Sequence, residues 1–430
     1  QGKAREVDAK ALVGDTGDMS VAGVGASLMQ TYLDRIIEAT FLPGATMLRV
    51  SGFEVISLVL EQGLAHPLKC VPALIALGTS SDAHIRSKAL KLHQDLCFKY
   101  ASFIHSRDIE GVRLAYEYQL QVRGNPGDVV GFSDSADVRD APGRPVAYLQ
   151  PLYSQIRSKR MRRNDFLTLL VKIGDCESGT GYMVGGRGAS RSGNGARNGI
   201  SDAKGGSVDD VDIAFVRFVA ENLASLDYKY LDEILHVIYQ ISAVIAGTGL
   251  NLYHYFETEP QTESSARGGA KLWLATKGSV CVGILFTLRE FLKAHYSISE
   301  ARCTAYNPSD TSATRDKPVT WHVQDGSSNG CMASRGRIVW DACNPYAVRP
   351  MSSEADFGDQ RLRFRQQMAG SLAVAEEEST AVGGTSGTFG GHGDALAFTA
   401  EDSAPVDAEE LELLSMGVFD AEDSAAEDGV

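Results

Sequence analysis

The sequence predicts an all-α protein: stacked antiparallel helix pairs, one glycine-rich insert and a disordered acidic C-terminal tail. Three observations carry this expectation. Apolar residues recur at helical spacing through most of the first 296 residues, helix-stopping residues interrupt the stripes at short intervals, and no strand-like alternation of any length occurs. The composition of the 430 residues, 43% hydrophobic, 8% aromatic and 22% charged, permits a substantial core. Length alone fits about three domains or one long array.

From Ser27 to Phe41 the residues Leu28, Met29, Tyr32, Leu33, Ile36, Ile37 and Phe41 trace one helix face, which Pro43 and Gly44 end. A second helix, from about Met47 to Gln62, carries Val50, Phe53, Ile56 and Leu60, and Gly63 stands where a left-handed residue closes a helix. The pair forms a hairpin. Pro67 restarts a helix at a first-turn position, Val71, Leu74, Ile75 and Leu77 supply its buried side, and Gly78 ends it. Ser81 or Asp82 caps the next stripe, which runs through Ile85, Ala89, Leu92, Leu96, Tyr100 and Phe103; a further helix spans Glu110 to Val122. Equivalent starts near residues 27 and 67 lie about 40 residues apart, the period of HEAT-type helical pairs. Each helix is one-sided, so its apolar face, at roughly 1.5–3 kcal/mol per buried side chain, requires a neighbouring hairpin. An array cut midway is expected to leave apolar area uncovered near residues 27–60.

The second half repeats the pattern. Ile213, Phe215, Phe218, Val219, Leu223 and Leu226 precede Leu231, Ile234, Leu235, Ile238, Ile241 and Ile245, with a turn at Asp227–Tyr230; a last helix spans about Lys271 to Lys293. Residues 178–206 contain ten glycines among small polar residues and cannot bury enough apolar area to order themselves. The expected organisation is a disordered or partial lead-in at 1–26, helical repeats at 27–123, a loop at 124–147, helical repeats at 148–296 with a flexible insert at 176–207, and a mostly disordered stretch at 297–430, acidic from 366. Because it begins at Gln1 with no signal-like segment, the chain is expected to be part of a longer one.

The net charge of -14 is local: residues 366–430 hold fifteen Asp or Glu and no Lys or Arg, leaving a nearly neutral body. The tail reads as a solubilising end, or as a regulated ligand or competitor for a basic cluster. Its apolar patch Leu411, Leu413, Leu414, Met416, Val418 and Phe419 is a candidate docking helix. Seven cysteines without a CxxC pair argue against a disulfide framework or a zinc module, and favour a reducing compartment. The apolar stretch Gly278–Leu288 is far shorter than the roughly 20 residues of a membrane span, so no membrane partner is expected.

No enzyme, metal or cofactor is expected. Gly188 and Gly193 have the P-loop interval, but Asn194 replaces the phosphate-binding lysine; the Gly23 and Gly247 clusters lack the third glycine of a dinucleotide fingerprint. The nine histidines show no HxxxH or HExxH spacing, and no GxSxG marks a nucleophile. The one concentrated charge feature is Arg157, Lys159, Arg160, Arg162 and Arg163, five cations in seven residues. It reads as a phosphate contact, a solvated helix face or a localisation signal.

The runs Leu60–Gln119, Leu152–Asp175 and Phe215–Leu252, with Gly63-Leu64-Ala65-His66-Pro67 and Phe103-Ile104-His105 as their most specific pieces, resemble the C-terminal region of the Nipped-B family, the large HEAT-repeat subunit of the cohesin loader. The order of these runs is kept over roughly residues 27–296. The glycine-rich insert departs from the family pattern, and no match extends beyond Ser297. The resemblance implies a nuclear, chromatin-associated α-solenoid that helps load cohesin onto chromatin for sister chromatid cohesion and stimulates the ATPase of its partner. It further implies contacts with the cohesin SMC heads, the kleisin subunit and double-stranded DNA, with the small loader subunit bound through an N-terminal region absent here. The basic block lies inside a matching run and becomes the candidate DNA contact. A transport or signalling scaffold built on the same repeats, without DNA binding, is the alternative.

Overall fold

The computed structural model describes residues 17–100, 103–133, 145–175, 212–258, 266–309, 317–319 and 337–383. The glycine-rich insert with its P-loop-like interval, the first sixteen residues and the apolar patch at 411–419 lie outside them. The chain divides into a body, Gln1–Ala375, and a second unit, Glu376–Val430.

The expected all-α class is observed: the described residues form HEAT-like antiparallel helix pairs. Helices α1 (Gly17–Thr40) and α2 (Thr46–Glu61) form the first pair, turned at Gly44 with φ 74°. Leu33 of α1, Phe53, Ile56 and Val59 of α2, and Phe41 of the turn between them are buried. Gly63, at φ 65°, occupies the left-handed position assigned to it. Between it and α3 (Val71–Leu77), Pro67 opens a short 3-10 turn rather than the helix itself.

All seven residues of α3 are buried, which places this helix at the centre of the first half. Helix α4 (Ala83–Lys99) is capped by Asp82, whose Oδ1 accepts from the backbone N–H of His84 at 2.8 Å and of Ile85 at 3.3 Å. Helix α5 (Asp108–Arg123) crosses α3 closely enough that a Cβ on Gly111 would strike Ile75. The apolar stripe of α4 was expected to continue to Phe103, but the helix ends at Lys99.

Within the predicted loop at 124–147, a 3-10 turn at Pro126–Asp128 precedes a minimal antiparallel ladder, β1 (Phe132–Ser133) with β2 (Val146–Ala147). Helices α6 (Gln150–Ile156) and α7 (Arg160–Lys172) follow, and then α8 (Ile213–Ser225), buried on nearly all sides. Helix α9 (Leu231–Val244) packs on α7 and continues through a π turn (Ile245–Gly249) into α10 (Leu250–Thr258); α11 (Ala266–His295) packs against α8 and α9. Leu231–Thr258 and Lys271–His295 are long and apolar enough to cross a membrane, but 61% and 56% of their most apolar windows are buried inside the protein. Their hydrophobicity serves the core.

Helix α1 starts at Gly17, within the stretch expected as a disordered or partial lead-in. One expectation is corrected: much of 297–383, expected as part of a mostly disordered stretch, is ordered. Helices α12 (Glu300–Thr304), α13 (Trp340–Cys343) and α14 (Glu354–Gly383) are present, and Trp340, Tyr346, Met351, Phe364 and Met368 are buried in the body. Phe364 and Met368 recur at helical spacing on α14, but Trp340, Tyr346 and Met351 are separated and trace no stripe. Polar bonds fix them instead. Trp340 Nε1 donates to Glu221 Oε1 at 2.7 Å, Asn344 Nδ2 to Val280 O at 3.1 Å, and Gln360 Nε2 to Ser279 Oγ at 3.1 Å. Glu221 also accepts from Gly131 N at 2.7 Å, so one buried carboxylate joins α8, the β1 approach and α13. Burial pushes its pKa up, while Arg217 and these hydrogen bonds oppose that rise.

The apolar area expected near residues 27–60 is exposed: Leu28, Tyr32, Met47, Leu48 and Leu58 stand in solvent, Met47 at 80%.

Candidate nucleic-acid interface

The five cations lie where α6 ends and α7 begins. Helix α6 starts with Pro151 in its first turn and closes at Ile156; Arg157, Ser158 and Lys159 make the turn, and α7 starts at Arg160. This is an unfavourable place for cations by local rules. The start of α7 has no side-chain cap and no acid in its first turn, while Arg160, Arg162 and Arg163 sit at the positive end of its dipole.

The compensation comes from α9. Asp232 and Glu233 occupy its first turn, where carboxylates are favoured by its own dipole. Arg160 clasps Asp232 with both arms, Nε to Oδ2 at 3.1 Å and Nη2 to Oδ1 at 3.2 Å. Arg163 Nη2 donates to the same Asp232 Oδ2, and its Nη1 lies 3.7 Å from Glu233 Oε1. Tyr306 OH donates to Asp232 Oδ1 at 3.2 Å, and Arg160 Nη2 donates to Pro308 O at 2.8 Å, so the segment after α12 is tied in as well. Glu233 accepts from Tyr153 OH at 2.8 Å and from Lys229 N at 3.0 Å. Burial pushes the Asp232 carboxyl up, but the two arginines and Tyr306 outweigh it and hold it below the usual carboxylate range. His236, one turn further along α9, meets Asn164 O at 3.1 Å and Thr168 Oγ1 at 2.9 Å; burial lowers its pKa to about 4.

The block therefore separates into two sets. Arg163 has a side chain only 7% exposed and is held by acids of the core; Arg160, 39% exposed, is held on one side and open on the other. Arg157 is half-buried and donates to Asp227 O at 3.3 Å, and Arg162 is half-buried and engaged. Lys159 is exposed and takes no part in these ion pairs. The outward charge is Lys159 with the open sides of Arg157 and Arg160. Sequence reasoning missed Asp232, Glu233 and Tyr306. The adjacent acids directly after the Asp227–Tyr230 turn were the available signal, but nothing in one dimension pairs them with residues about 70 positions earlier.

Among the described residues no three His, Cys, Asp or Glu side chains are grouped as metal ligands. An open cleft of about 540 Å³ lies elsewhere, between Arg217, Glu221, Phe132, Arg337 and Trp340.

Comparison with known proteins follows the same outline as the helical body. The family model described as sister chromatid cohesion C-terminus, Nipped-B, matches residues 25–244. The zebrafish (Danio rerio) Nipped-B-like protein A is 29% identical over 244 residues, covering 56% of this chain and 9% of that protein. The human Nipped-B-like protein is 30% identical over 244 residues, 56% of this chain and 7% of that protein. The Caenorhabditis elegans Nipped-B-like protein scc-2 is 25% identical over 333 residues, 70% of this chain and 14% of that protein. Among solved structures, the C-terminal fragment of the Chaetomium thermophilum cohesin loader SCC2 aligns with a TM-score of 0.49 at 17% identity, over 83% of this chain and 20% of that one. The chain thus spans 7–14% of the length of these curated relatives. With half of its length matched by that model, across the helical body and the basic turn, the chain belongs to the Nipped-B family of sister chromatid cohesion C-terminal regions.

Proposed function

We propose that this chain is the C-terminal helical part of a nuclear cohesin loader, a non-enzymatic scaffold that meets the cohesin SMC heads and kleisin and presents a basic turn to DNA. In this reading it promotes loading of cohesin onto chromatin, and the ATP is hydrolysed by the partner. The small loader subunit binds a region outside this chain. What carries the reading is the position of the basic turn inside the stretch matched by the sister chromatid cohesion family. The DNA contact is narrower than the sequence suggested: Lys159 with the open sides of Arg157 and Arg160, because Asp232 occupies Arg163 and one side of Arg160. About three neutralised phosphates give a slope of log affinity on log salt near -2.7, against about -4.5 for all five cations.

The test is duplex DNA binding across a salt series, together with stimulation of cohesin's ATPase by the full-length loader. Lys159→Glu with Arg157→Glu is expected to weaken binding, flatten the slope and reduce stimulation, with helical content unchanged. Unaltered DNA binding removes the DNA role.

A further inference from the structure

Ser158 is the hydroxyl at the apex of the basic turn. It is exposed, between the end of α6 and the start of α7, and none of the hydrogen bonds that organise the block uses it. Its chain neighbours are Arg157 and Lys159, with Arg160 next. An accessible serine flanked on both sides by cations suits a protein kinase whose substrate groove is acidic.

We propose that Ser158 is a phosphorylation site whose phosphate turns off the basic turn as a nucleic-acid contact. The proposal rests on the reading that this turn meets DNA. In the modification, Ser158 Oγ attacks the γ-phosphorus of a nucleoside triphosphate held by the kinase. The Oγ–P bond forms as the bridging P–O bond to the β-phosphate breaks, the hydroxyl proton passes to the base of the kinase, and the nucleoside diphosphate leaves.

The ion pairs of the block decide how complete the switch is. With all five cations outward, a phosphoserine of about -1.5 to -2 charge would leave a net positive surface near +3. Asp232 removes Arg163 from the surface and holds one side of Arg160, and Asp227 O holds Arg157. The outward charge that remains, Lys159 with the open sides of Arg157 and Arg160, is about +3 at most, so the phosphate cancels half or more of it and draws the nearest cations to itself instead of to DNA.

The experiment has three arms. Incubation of the chain with a basophilic kinase and ATP, followed by tandem mass spectrometry, is expected to place phosphate on Ser158 and to lose that signal in Ser158→Ala. No phosphate at Ser158 overturns the proposal. Phosphoserine installed at position 158 by genetic encoding is then compared with the unmodified chain on a fluorescent duplex DNA. The expected result is about tenfold weaker binding at 0.1 M salt and a slope shallower by about 1.8, two contacts at 0.9 each. Equal affinity of the two forms overturns the switch. Lys159→Glu without phosphate is the third arm and addresses the DNA reading alone. If it binds DNA as tightly as the parent while Ser158 is phosphorylated, the DNA reading fails and the switch with it, but the modification site stands.

Discussion

Replacing Asp232 tests the account of the basic block most directly. Its carboxylate accepts two bonds from Arg160, one from Arg163 and one from Tyr306, and the Asp232 side chain is 4% exposed. Asp232→Ala removes all four and leaves Arg163 in the interior with Glu233 at 3.7 Å and Asn164 Oδ1 at 3.1 Å as its remaining partners. Breaking one side of a buried pair costs about 3–5 kcal/mol, and Glu233 offsets part of this, so a loss of about 3 kcal/mol is expected. Arg160→Ala takes away a partner that is 39% exposed and is expected to cost about 1 kcal/mol or less. Arg163→Ala leaves Asp232 with Arg160 and falls between the two. Because Asp232 and Arg163 share one interaction, the double variant should cost well under the sum of the singles. Urea unfolding followed by far-ultraviolet circular dichroism gives each value. An Asp232→Ala midpoint close to that of the parent, or strict additivity with Arg163→Ala, refutes the clamp. The same logic warns against charge reversal at Arg163 as a probe of DNA binding, since a folding defect would imitate lost affinity.

The pH dependence has a definite sign. Burial lowers His93 and His236 from the usual 6.5 to about 4, so both fold neutral; their contribution is present above pH 6.5 and is lost as pH falls towards about 4. Thermal melts over that range should show stability falling with acid, with a shallower fall in His236→Gln. Trp340→Ala should cost about 3–5 kcal/mol and open residues 337–368 to limited proteolysis while the α1–α5 fragment survives, because it removes a buried ring and leaves Glu221 without its indole donor. Gly111→Ala drives a methyl into Ile75 and should destabilise by about 1–3 kcal/mol in the same unfolding assay. Met47→Gln, at a site 80% exposed, should leave the midpoint within about 0.5 kcal/mol.

What the sequence made legible was what is periodic. The stripe Leu28 to Phe41 and the stripe Ile213 to Leu226 repeat at helical spacing, so local spacing suffices to find them, and Gly63 and Asp82 mark the end of α2 and the start of α4 by local backbone chemistry. Trp340 and Asn344 escape such reading, because their polar partners lie 119 and 64 positions earlier and no spacing rule connects them. The candidate site was found as a run of charge, but its division into held and outward cations depends on Asp232 and Tyr306, which no spacing rule connects to it.

The bond between Trp340 and Glu221 spans 119 residues, which has a consequence for how the protein is made. At 5–20 residues per second the ribosome takes about 6–24 s to travel that far, and for this interval the carboxylate waits without its indole partner. The α1–α5 pairs can settle as they emerge, whereas Glu221 on α8 gains its indole donor only after most of the body has been made.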